Sequence, residues 1–260
     1  MVKGRSTKWY GWTPDLPDHR DQVYSAPVVS MRALPPNVDL RPHCPKHIYD
    51  QGQLGSCTAN AIACAMEFDL MKQKATVFTP SRLFIYYSER KIEGSIGQDS
   101  GAQIRDGIKS VHKLGAPPET QWPYSDKDPG DFQKEPSSAA YAAAAKHKVT
   151  SYHRIPRTLN QFKGCLASGY PFVFGFTVYE SFEGEAVAKS GILQMPGPNE
   201  EVVGGHAVLA VGYDDAAQRF IVRNSWAADW GMGGYFTMPY AYLLDHDLSD
   251  DFWKVGQVAV

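Results

Sequence analysis

The stretch 50–60 constrains the fold more than any other part of the sequence. It reads DQGQLGSCTAN, a glycine-rich turn that leads into a helix with Cys57 at the junction. A helix N-terminus offers unpaired N–H groups and the positive end of the helix dipole, and both favour a thiolate over a thiol. Ile62, Met66 and Leu70 then recur every four residues, which predicts a buried helical stripe. The stretch therefore predicts a reactive cysteine, with a lowered pKa, at the start of a core helix.

Two later segments contain the residue types that a cysteine nucleophile needs as partners. His206 precedes a β-branched apolar run, and Asn224 ends a second strand-like run. Gln51, upstream of Cys57, has a side-chain amide that can point back at whatever the cysteine attacks. A thiol, an imidazole base and an amide that holds the imidazole are the parts of a thiol acyl-transfer site. Each residue alone also has an ordinary interpretation: a small buried cysteine, a core histidine or a turn asparagine.

The order and context of these segments resemble the papain-like cysteine peptidases. The matching segments are Gln51–Gly52, Gly55–Cys57, Gly205–Ala207, Val211–Tyr213, Asn224–Trp226 and Trp230–Tyr235. They fall within a region from about Leu34 to Tyr240, and the similarity is to bacterial members with a short N-terminal extension. The resemblance implies an α+β, papain-like two-lobe fold, in which a helical lobe and an antiparallel β-barrel-like lobe have the active-site cleft between them.

The resemblance also assigns roles to the chemically important residues. Cys57 would attack the scissile carbonyl, and His206 would give a proton to the leaving amine and then activate water. Asn224 would fix the orientation of the imidazole, with Trp226 shielding that contact from water. The Gln51 amide and the backbone N–H of Cys57 would form the oxyanion hole. These assignments predict a cysteine peptidase, and an endopeptidase by default because no insertion that would block one end of the cleft is evident.

A substrate pocket follows from the same resemblance. Residues from the loop 98–102, the helix after it and the β-rich lobe would line the pocket for the second residue before the cut and its surroundings. They are Ser100, Gly101, Ala102, Ile104, Gly175, Gly204, Gly205 and Ala207, with Trp226 beside them. Since most of these residues are small, we expect a roomy, apolar pocket, with its floor formed by Tyr240–Leu244. The alternative for the loop 98–102 is an ordinary helix-capping turn.

Two departures from the family pattern affect the surroundings of the nucleophile. Leu54 stands where papain has a cysteine, so we expect apolar packing instead of a disulfide to hold the oxyanion loop. Thr58 replaces the aromatic residue that commonly follows the nucleophile, so the packing behind Cys57 should differ. The sequence has four cysteines, too few for a disulfide scaffold. Spacing leaves a Cys44–Cys165 or a Cys64–Cys165 bridge open.

Composition limits the classes of partner. With 260 residues and a formal net charge of −2, the chain gives no electrostatic argument for nucleic acid or an anionic membrane. No apolar run is long enough to span a bilayer. His43, Cys44 and His47 cluster, but their spacing matches no zinc motif. We therefore expect peptide or protein substrates, no cofactor, no metal, and a monomer that is cytoplasmic or secreted without a readable signal peptide.

The chain divides into an extension and a catalytic domain. Residues 1–33 are rich in aromatic residues and proline and show neither a helical nor a strand period. They are either a packing arm or a segment that covers the cleft and regulates access. Residues 34–260 form the catalytic domain, with a helical lobe at about 48–148. The β-rich lobe takes in about 149–244 together with 34–47, and 245–260 is a C-terminal segment.

Two other functional classes share these features. A cysteine acyltransferase or transpeptidase would use the same thioester step with a different acceptor. A non-catalytic peptide-binding protein could use the same fold, because a fold does not guarantee an activity. The complete set of Gln51, Cys57, His206 and Asn224 argues against the second alternative.

Overall fold

The three longest helices lie in the first half of the chain. The computed structural model describes residues 10–28, 31, 33–127 and 130–259. Within these residues the helices are α1 (Cys57–Lys72), α2 (Arg82–Glu93), α3 (Ile104–Lys113), α4 (Ser138–Ala144), α5 (Leu159–Ala167), α6 (Glu180–Glu183), α7 (Glu185–Ser190) and α8 (Tyr240–Leu244). Two short 3-10 helices cover Arg41–His43 and Asp131–Gln133.

The second half supplies most of an antiparallel sheet. Its strands are β1 (Asn37–Asp39), β2 (Tyr152–Arg154), β3 (Phe172–Tyr179), β4 (Val202–Asp214), β5 (Arg219–Arg223), β6 (Tyr235–Pro239) and β7 (Ser249–Val255). The strand order is β2-β7-β3-β4-β5-β6, and β1 pairs with β4. The predicted combination of a helical lobe and an antiparallel β lobe is confirmed.

The sheet is not closed into a barrel, so the barrel-like description of this lobe is wrong. β2 and β6 stand at the two ends of the path of paired strands, and no strand pairing between described residues joins them. The segment 245–260 contributes β7, which lies between β2 and β3. The C-terminal part of the chain is therefore inside the sheet, next to the strand that contains Gly175.

Local signals in the sequence set the boundaries of the second helix. Ser81 is the N-cap of α2, and its hydroxyl accepts a hydrogen bond from the backbone N–H of Phe84. Gly94 ends the helix in a left-handed conformation with φ of 73°. Both ends of α2 therefore coincide with residue types that favour a helix start and a helix end.

The first helix is buried almost all round. Ile62, Met66 and Leu70 are each 0% exposed, which confirms the predicted stripe, but nearly all other residues of α1 are buried as well. A helix that is covered on every face lies in the middle of a protein rather than on its surface. α1 packs against α2 and α3 on one side and against β4 on the other, so its N-terminus, with Cys57, lies where the two lobes meet.

Candidate active site

The turn before α1 depends on one glycine with positive φ. Gly52 has φ of 61°, and a Cβ there would lie 1.9 Å from a carboxylate oxygen of Asp126. Behind the nucleophile, the Thr58 hydroxyl donates a 2.6 Å hydrogen bond to Glu89 Oε1. Burial raises the pKa of Glu89 well above its usual range. A polar contact thus lies behind Cys57.

Hydrogen bonds hold the oxyanion loop in addition to the expected apolar packing. Leu54 is buried, as expected. Arg82 also donates to the carbonyl oxygen of Asp50 over 3.1 Å, and the Tyr124 hydroxyl donates to the carbonyl oxygen of Gln51 over 2.7 Å. The Gly55 N–H donates to the Asp99 carboxylate over 3.0 Å. The sequence pattern showed the missing cysteine but not these polar contacts.

The imidazole, its amide partner and the oxyanion amide form one buried network. His206 Nε2 lies 2.8 Å from Asn224 Oδ1. The ring of Trp226 stacks on the ring of His206, with 5.1 Å between centroids. Gln51 accepts a 2.7 Å hydrogen bond from the hydroxyl of Ser225 and donates one of 3.0 Å to the Leu54 carbonyl oxygen.

This network depends on the placement of three segments: β4, the end of β5 and the turn that contains Gln51. Asn224 directly follows β5, and His206 lies inside β4, so the pairing of the two strands brings the ring to the amide. Gln51 is tied to the residue after Asn224 twice, because its backbone N–H also donates to the Ser225 carbonyl oxygen over 2.9 Å. The orientation of the Gln51 amide is therefore fixed from the β-rich side.

The thiol of Cys57 lies at the junction between α1, β4 and the N-terminal segment. Backbone N–H groups of Ala207 and Gly11 face its sulfur. Cys57 is 0% exposed, and burial raises the pKa of its thiol to about 12 in spite of these N–H groups. The predicted lowering of the Cys57 pKa is therefore wrong for this conformation, because the segment that contains Gly11 excludes water from the sulfur.

The N-terminal segment runs through the groove and forms backbone hydrogen bonds with both of its walls. The Thr13 N–H donates to the Ala102 carbonyl oxygen over 3.1 Å, and the Ala102 N–H donates to the Gly11 carbonyl oxygen over 2.7 Å. On the opposite wall, the Trp12 N–H donates to the Gly205 carbonyl oxygen over 2.9 Å. Gly11, Trp12 and Thr13 therefore form backbone hydrogen bonds with both walls of the groove. We call the segment 10–15 the covering segment.

Trp12 fills the pocket that the sequence predicted. A Cβ on Gly175 would lie 2.0 Å from the Trp12 ring, and a Cβ on Gly205 would lie 2.5 Å from the Trp12 carbonyl oxygen. A Cβ on Gly204 would meet Tyr10 at 2.7 Å. The absence of side chains at these three glycines leaves the space that the two aromatic residues occupy.

The remaining predicted pocket residues are divided between the groove and the core. Gly101 faces Gly11, since a Cβ on Gly101 would lie 2.2 Å from the Gly11 carbonyl oxygen. Ala207 is buried next to His206. Ile104 is buried in the main core at the start of α3, and Ser100 is exposed.

A residue at the base of the pocket is Asp251, which lies outside the predicted floor, Tyr240–Leu244. Asp251 Oδ2 accepts a 3.0 Å hydrogen bond from Trp12 Nε1. Asp251 is 0% exposed and has φ of 58°, a left-handed conformation that is uncommon for residues other than glycine. Residues 245–260 contain no recognised motif that would have indicated this position. Because of the Asp251 carboxylate, the pocket is not wholly apolar.

The cysteines and one exposed group are the other residues considered as possible sites. All four cysteines, Cys44, Cys57, Cys64 and Cys165, are free and buried. Among the described residues, the group with ligand atoms close enough to share a metal ion is exposed Asp245, His246 and Asp247. No helix in the described part of the chain has both the length and the apolar character needed to cross a membrane.

A buried cysteine at a helix N-terminus, an imidazole held by an amide and a groove between two lobes define a thiol acyl-transfer enzyme. Comparison with known proteins agrees. The papain family cysteine protease profile matches residues 34–243. The crystal structure of xylellain, a cysteine protease from Xylella fastidiosa, superposes with a TM-score of 0.92 at 46% identity and covers 99% of each chain.

Curated relatives show the same family. An uncharacterized peptidase C1-like protein of Acanthamoeba polyphaga mimivirus is 42% identical, over 96% of this chain and 87% of that protein. A cathepsin B-like protein of Giardia intestinalis is 30% identical, over 80% of this chain and 70% of that protein. The chain belongs to the papain family of cysteine proteases, and it is a papain-like cysteine peptidase.

Proposed function

We propose that the chain hydrolyses peptide bonds through a Cys57 thioester and that the described conformation is its latent form. The observation that carries the catalytic assignment is the 2.8 Å contact between His206 Nε2 and Asn224 Oδ1, next to a cysteine sulfur that faces the Ala207 N–H. Since Nε2 is engaged by Asn224, Nδ1 is the ring nitrogen that exchanges a proton with the thiol.

The proposed steps conserve charge and atoms. The Cys57 thiolate attacks the scissile carbonyl carbon, and protonated His206 gives its proton to the leaving amine as the peptide bond breaks. Neutral His206 then takes a proton from water, which attacks the thioester and releases the acid. Asn224 keeps the imidazole in one orientation through both steps, and Trp226 covers that contact.

Gln51 is assigned to the oxyanion hole together with the backbone N–H of Cys57. One N–H of the Gln51 amide donates to the Leu54 carbonyl oxygen, and an amide NH2 has a second N–H to offer. Ser225 fixes the amide in this orientation because its hydroxyl donates to Gln51 Oε1. The oxyanion donor is therefore preorganised.

Substitution Gln51→Ala should lower kcat by about 10²–10³, because one donor to the developing negative charge is lost. The measurement is steady-state hydrolysis of a fluorogenic peptide. Gln53→Ala is the matched control, since Gln53 is exposed two residues away and its substitution should leave kcat unchanged. An equal loss in both variants would show damage to the loop instead of a lost donor.

The covering segment supports the proposal of a latent form because it enters the groove in the non-productive direction. The leaving amine must lie near His206, so a substrate runs from the Gly175 pocket past Cys57 toward His206. The covering segment runs the other way, with Trp12 in the Gly175 pocket, Gly11 at the sulfur and Tyr10 6.0 Å from the His206 ring. No peptide bond of the segment is therefore presented as a substrate.

The proposed division of the chain follows from this arrangement. Residues 1–33 are an arm whose part 10–15 covers the cleft, and 34–260 are a monomeric catalytic domain that takes peptide or protein substrates. In this division the helical lobe and the β-rich lobe meet at the groove. Trp9 of the aromatic arm lies outside the described residues.

An epoxide-type thiol inhibitor tests the catalytic assignment. It should label Cys57 and abolish peptide hydrolysis, whereas Cys57→Ala should neither hydrolyse peptide nor become labelled. Cys165→Ala is the control, because Cys165 is an equally buried cysteine outside the groove and its loss should leave labelling intact. Labelling that persists in Cys57→Ala would refute the assignment.

A further inference from the structure

We propose that Asp251 makes the enzyme selective for peptides with tryptophan as the second residue before the cut. The inference rests on the proposed function, since it concerns the pocket that becomes free when the covering segment leaves. It adds a specificity residue that the sequence pattern did not identify.

The Asp251 carboxylate has a different environment at each oxygen. Oδ2 faces the covering segment and accepts from Trp12 Nε1 over 3.0 Å and from the Asp15 N–H over 2.8 Å. Oδ1 faces the sheet and accepts from Arg154 over 3.0 Å. When the covering segment leaves, Oδ2 loses both of its donors while Oδ1 keeps its cation.

The backbone presents this carboxylate to the pocket and fixes it there. Pairing between β3 and β7 shifts register between Val173 and Gly175, and Asp250 stands opposite Gly175. Asp251 follows with its left-handed φ of 58°. A strained, buried residue that persists next to a pocket indicates a functional constraint.

A buried oxygen that has lost its donors favours a ligand that restores one. Leaving a buried polar group unpaired is costly, and sites built around such a group discriminate strongly against ligands that lack the matching donor. The indole of Trp12 shows that a flat bicyclic ring fits against Gly175 while its N–H reaches Oδ2. Phenylalanine and leucine offer no N–H.

Charge around the carboxylate favours a neutral donor over a cationic one. Arg154 is within ion-pair distance of Asp251 and also of Asp250, and Arg157 adds a second cation at Asp250 over 3.1 Å. The carboxylate is thus already compensated on the sheet side. A guanidinium or ammonium group entering the pocket would meet these cations, whereas an indole brings its N–H without a charge.

Two peptides that differ in one ring position test the proposal. One has tryptophan as the second residue before the cut, and the other has 3-benzothienylalanine, which keeps the ring shape but replaces N–H with sulfur. The enzyme form is Gly11→Val, in which the covering segment cannot dock because a Cβ there would lie 1.6 Å from the Gly55 carbonyl oxygen. We expect kcat/KM for the tryptophan peptide to be at least tenfold higher.

Asp251 variants and a binding measurement complete the test. In Asp251→Ala on the Gly11→Val background, the ratio of kcat/KM between the tryptophan and benzothienylalanine peptides should fall from tenfold to near one. Asp251→Asn should keep part of this ratio, because asparagine tolerates the left-handed backbone and retains an acceptor. The Kd values of the two peptides should differ by the same factor in the Cys57→Ala/Gly11→Val variant, in which binding is measured without cleavage. The two measurements therefore separate this proposal from the proposed catalysis.

Two outcomes would overturn the inference. Equal kcat/KM and equal Kd for the two peptides would show that the N–H is not recognised. An arginine peptide that is preferred over the tryptophan peptide would show that the pocket recognises charge instead. Failure of the Gly11→Val variant to cleave any peptide would count against the proposed function, and the Kd ratio would still decide the role of Asp251.

Discussion

Substitution Gly11→Val should raise the rate at which an epoxide-type thiol reagent labels Cys57 by about 10²–10³. A Cβ at Gly11 would lie 1.6 Å from the backbone oxygen of Gly55, which cannot give way as the end of a side chain would. Displacement removes Trp12 from its pocket, and burial of such a side chain is worth about 3–5 kcal/mol. A docked state favoured by about that amount leaves the groove open for a small fraction of the time.

The control for this prediction is Gly97→Val. A Cβ on Gly97 meets no atom within 4 Å, so the same substitution there should leave the labelling rate unchanged. Peptide hydrolysis, measured in parallel, should rise with labelling in Gly11→Val. Equal labelling rates in the two variants and the unaltered chain would show that the covering segment does not limit access to Cys57.

The positions of the proposed catalytic residues were predictable because each is encoded by a short local pattern. The glycine-rich turn before Cys57, the apolar run after His206 and the apolar run that ends at Asn224 are visible without any knowledge of tertiary contacts. The boundaries of α2 followed from Ser81 and Gly94 for the same reason, since capping depends on residues within one turn.

The pocket floor and the pKa of the thiol were not predictable because both depend on contacts between distant segments. Asp251 reaches the pocket only through the position of β7 next to β3, and nothing near Asp251 in the sequence indicates that pairing. The pKa of Cys57 is raised by burial under Gly11. The 10–15 segment has no period that would have predicted its place, because single backbone hydrogen bonds and an isolated β-bridge join it to the groove.

The contact between the arm and the sheet has an excess of carboxylates. Two come from the arm and two from β7, while the facing guanidinium groups come from α3, β2 and the loop after β2. The carboxylates are Asp15, Asp21, Asp250 and Asp251, and the guanidinium groups are those of Arg105, Arg154 and Arg157. Further out, Asp18 is paired with Arg20 and lies near Lys109. Four carboxylates against three guanidinium groups favour protonation of one carboxyl group.

The carboxyl group that takes the proton is in the arm. Burial and the nearby Asp251 raise the pKa of Asp15 from 3.8 to about 7, although the Arg105 N–H and the Trp253 indole donate to it. In the open form Asp15 is in water and has its ordinary pKa. The docked form therefore binds a proton that the open form releases between about pH 4 and 7.

The sign of the pH effect follows from this difference. Because the pKa is raised in the docked form, the stabilisation of docking by the proton is complete below about pH 4 and is lost as the pH rises to 7. Each pH unit in that range shifts the opening equilibrium by up to about tenfold. We therefore expect the unaltered chain to be most latent in acid and to open toward neutral pH.

The measurement is the Cys57 labelling rate of the unaltered chain divided by that of Gly11→Val. This ratio isolates the effect of pH on docking, since the titration of the thiol itself is common to both proteins. The ratio should rise between pH 4 and 7, by up to about 10³ in total, and then level off. Asp15→Asn should make the ratio independent of pH, because an amide remains neutral at every pH. Its one carbonyl oxygen replaces only one of the two carboxylate oxygens that accept from the Arg105 N–H and the Trp253 indole. A ratio that is independent of pH in the unaltered chain, or an equal rise in Asp15→Asn, would show that a group other than Asp15 controls docking.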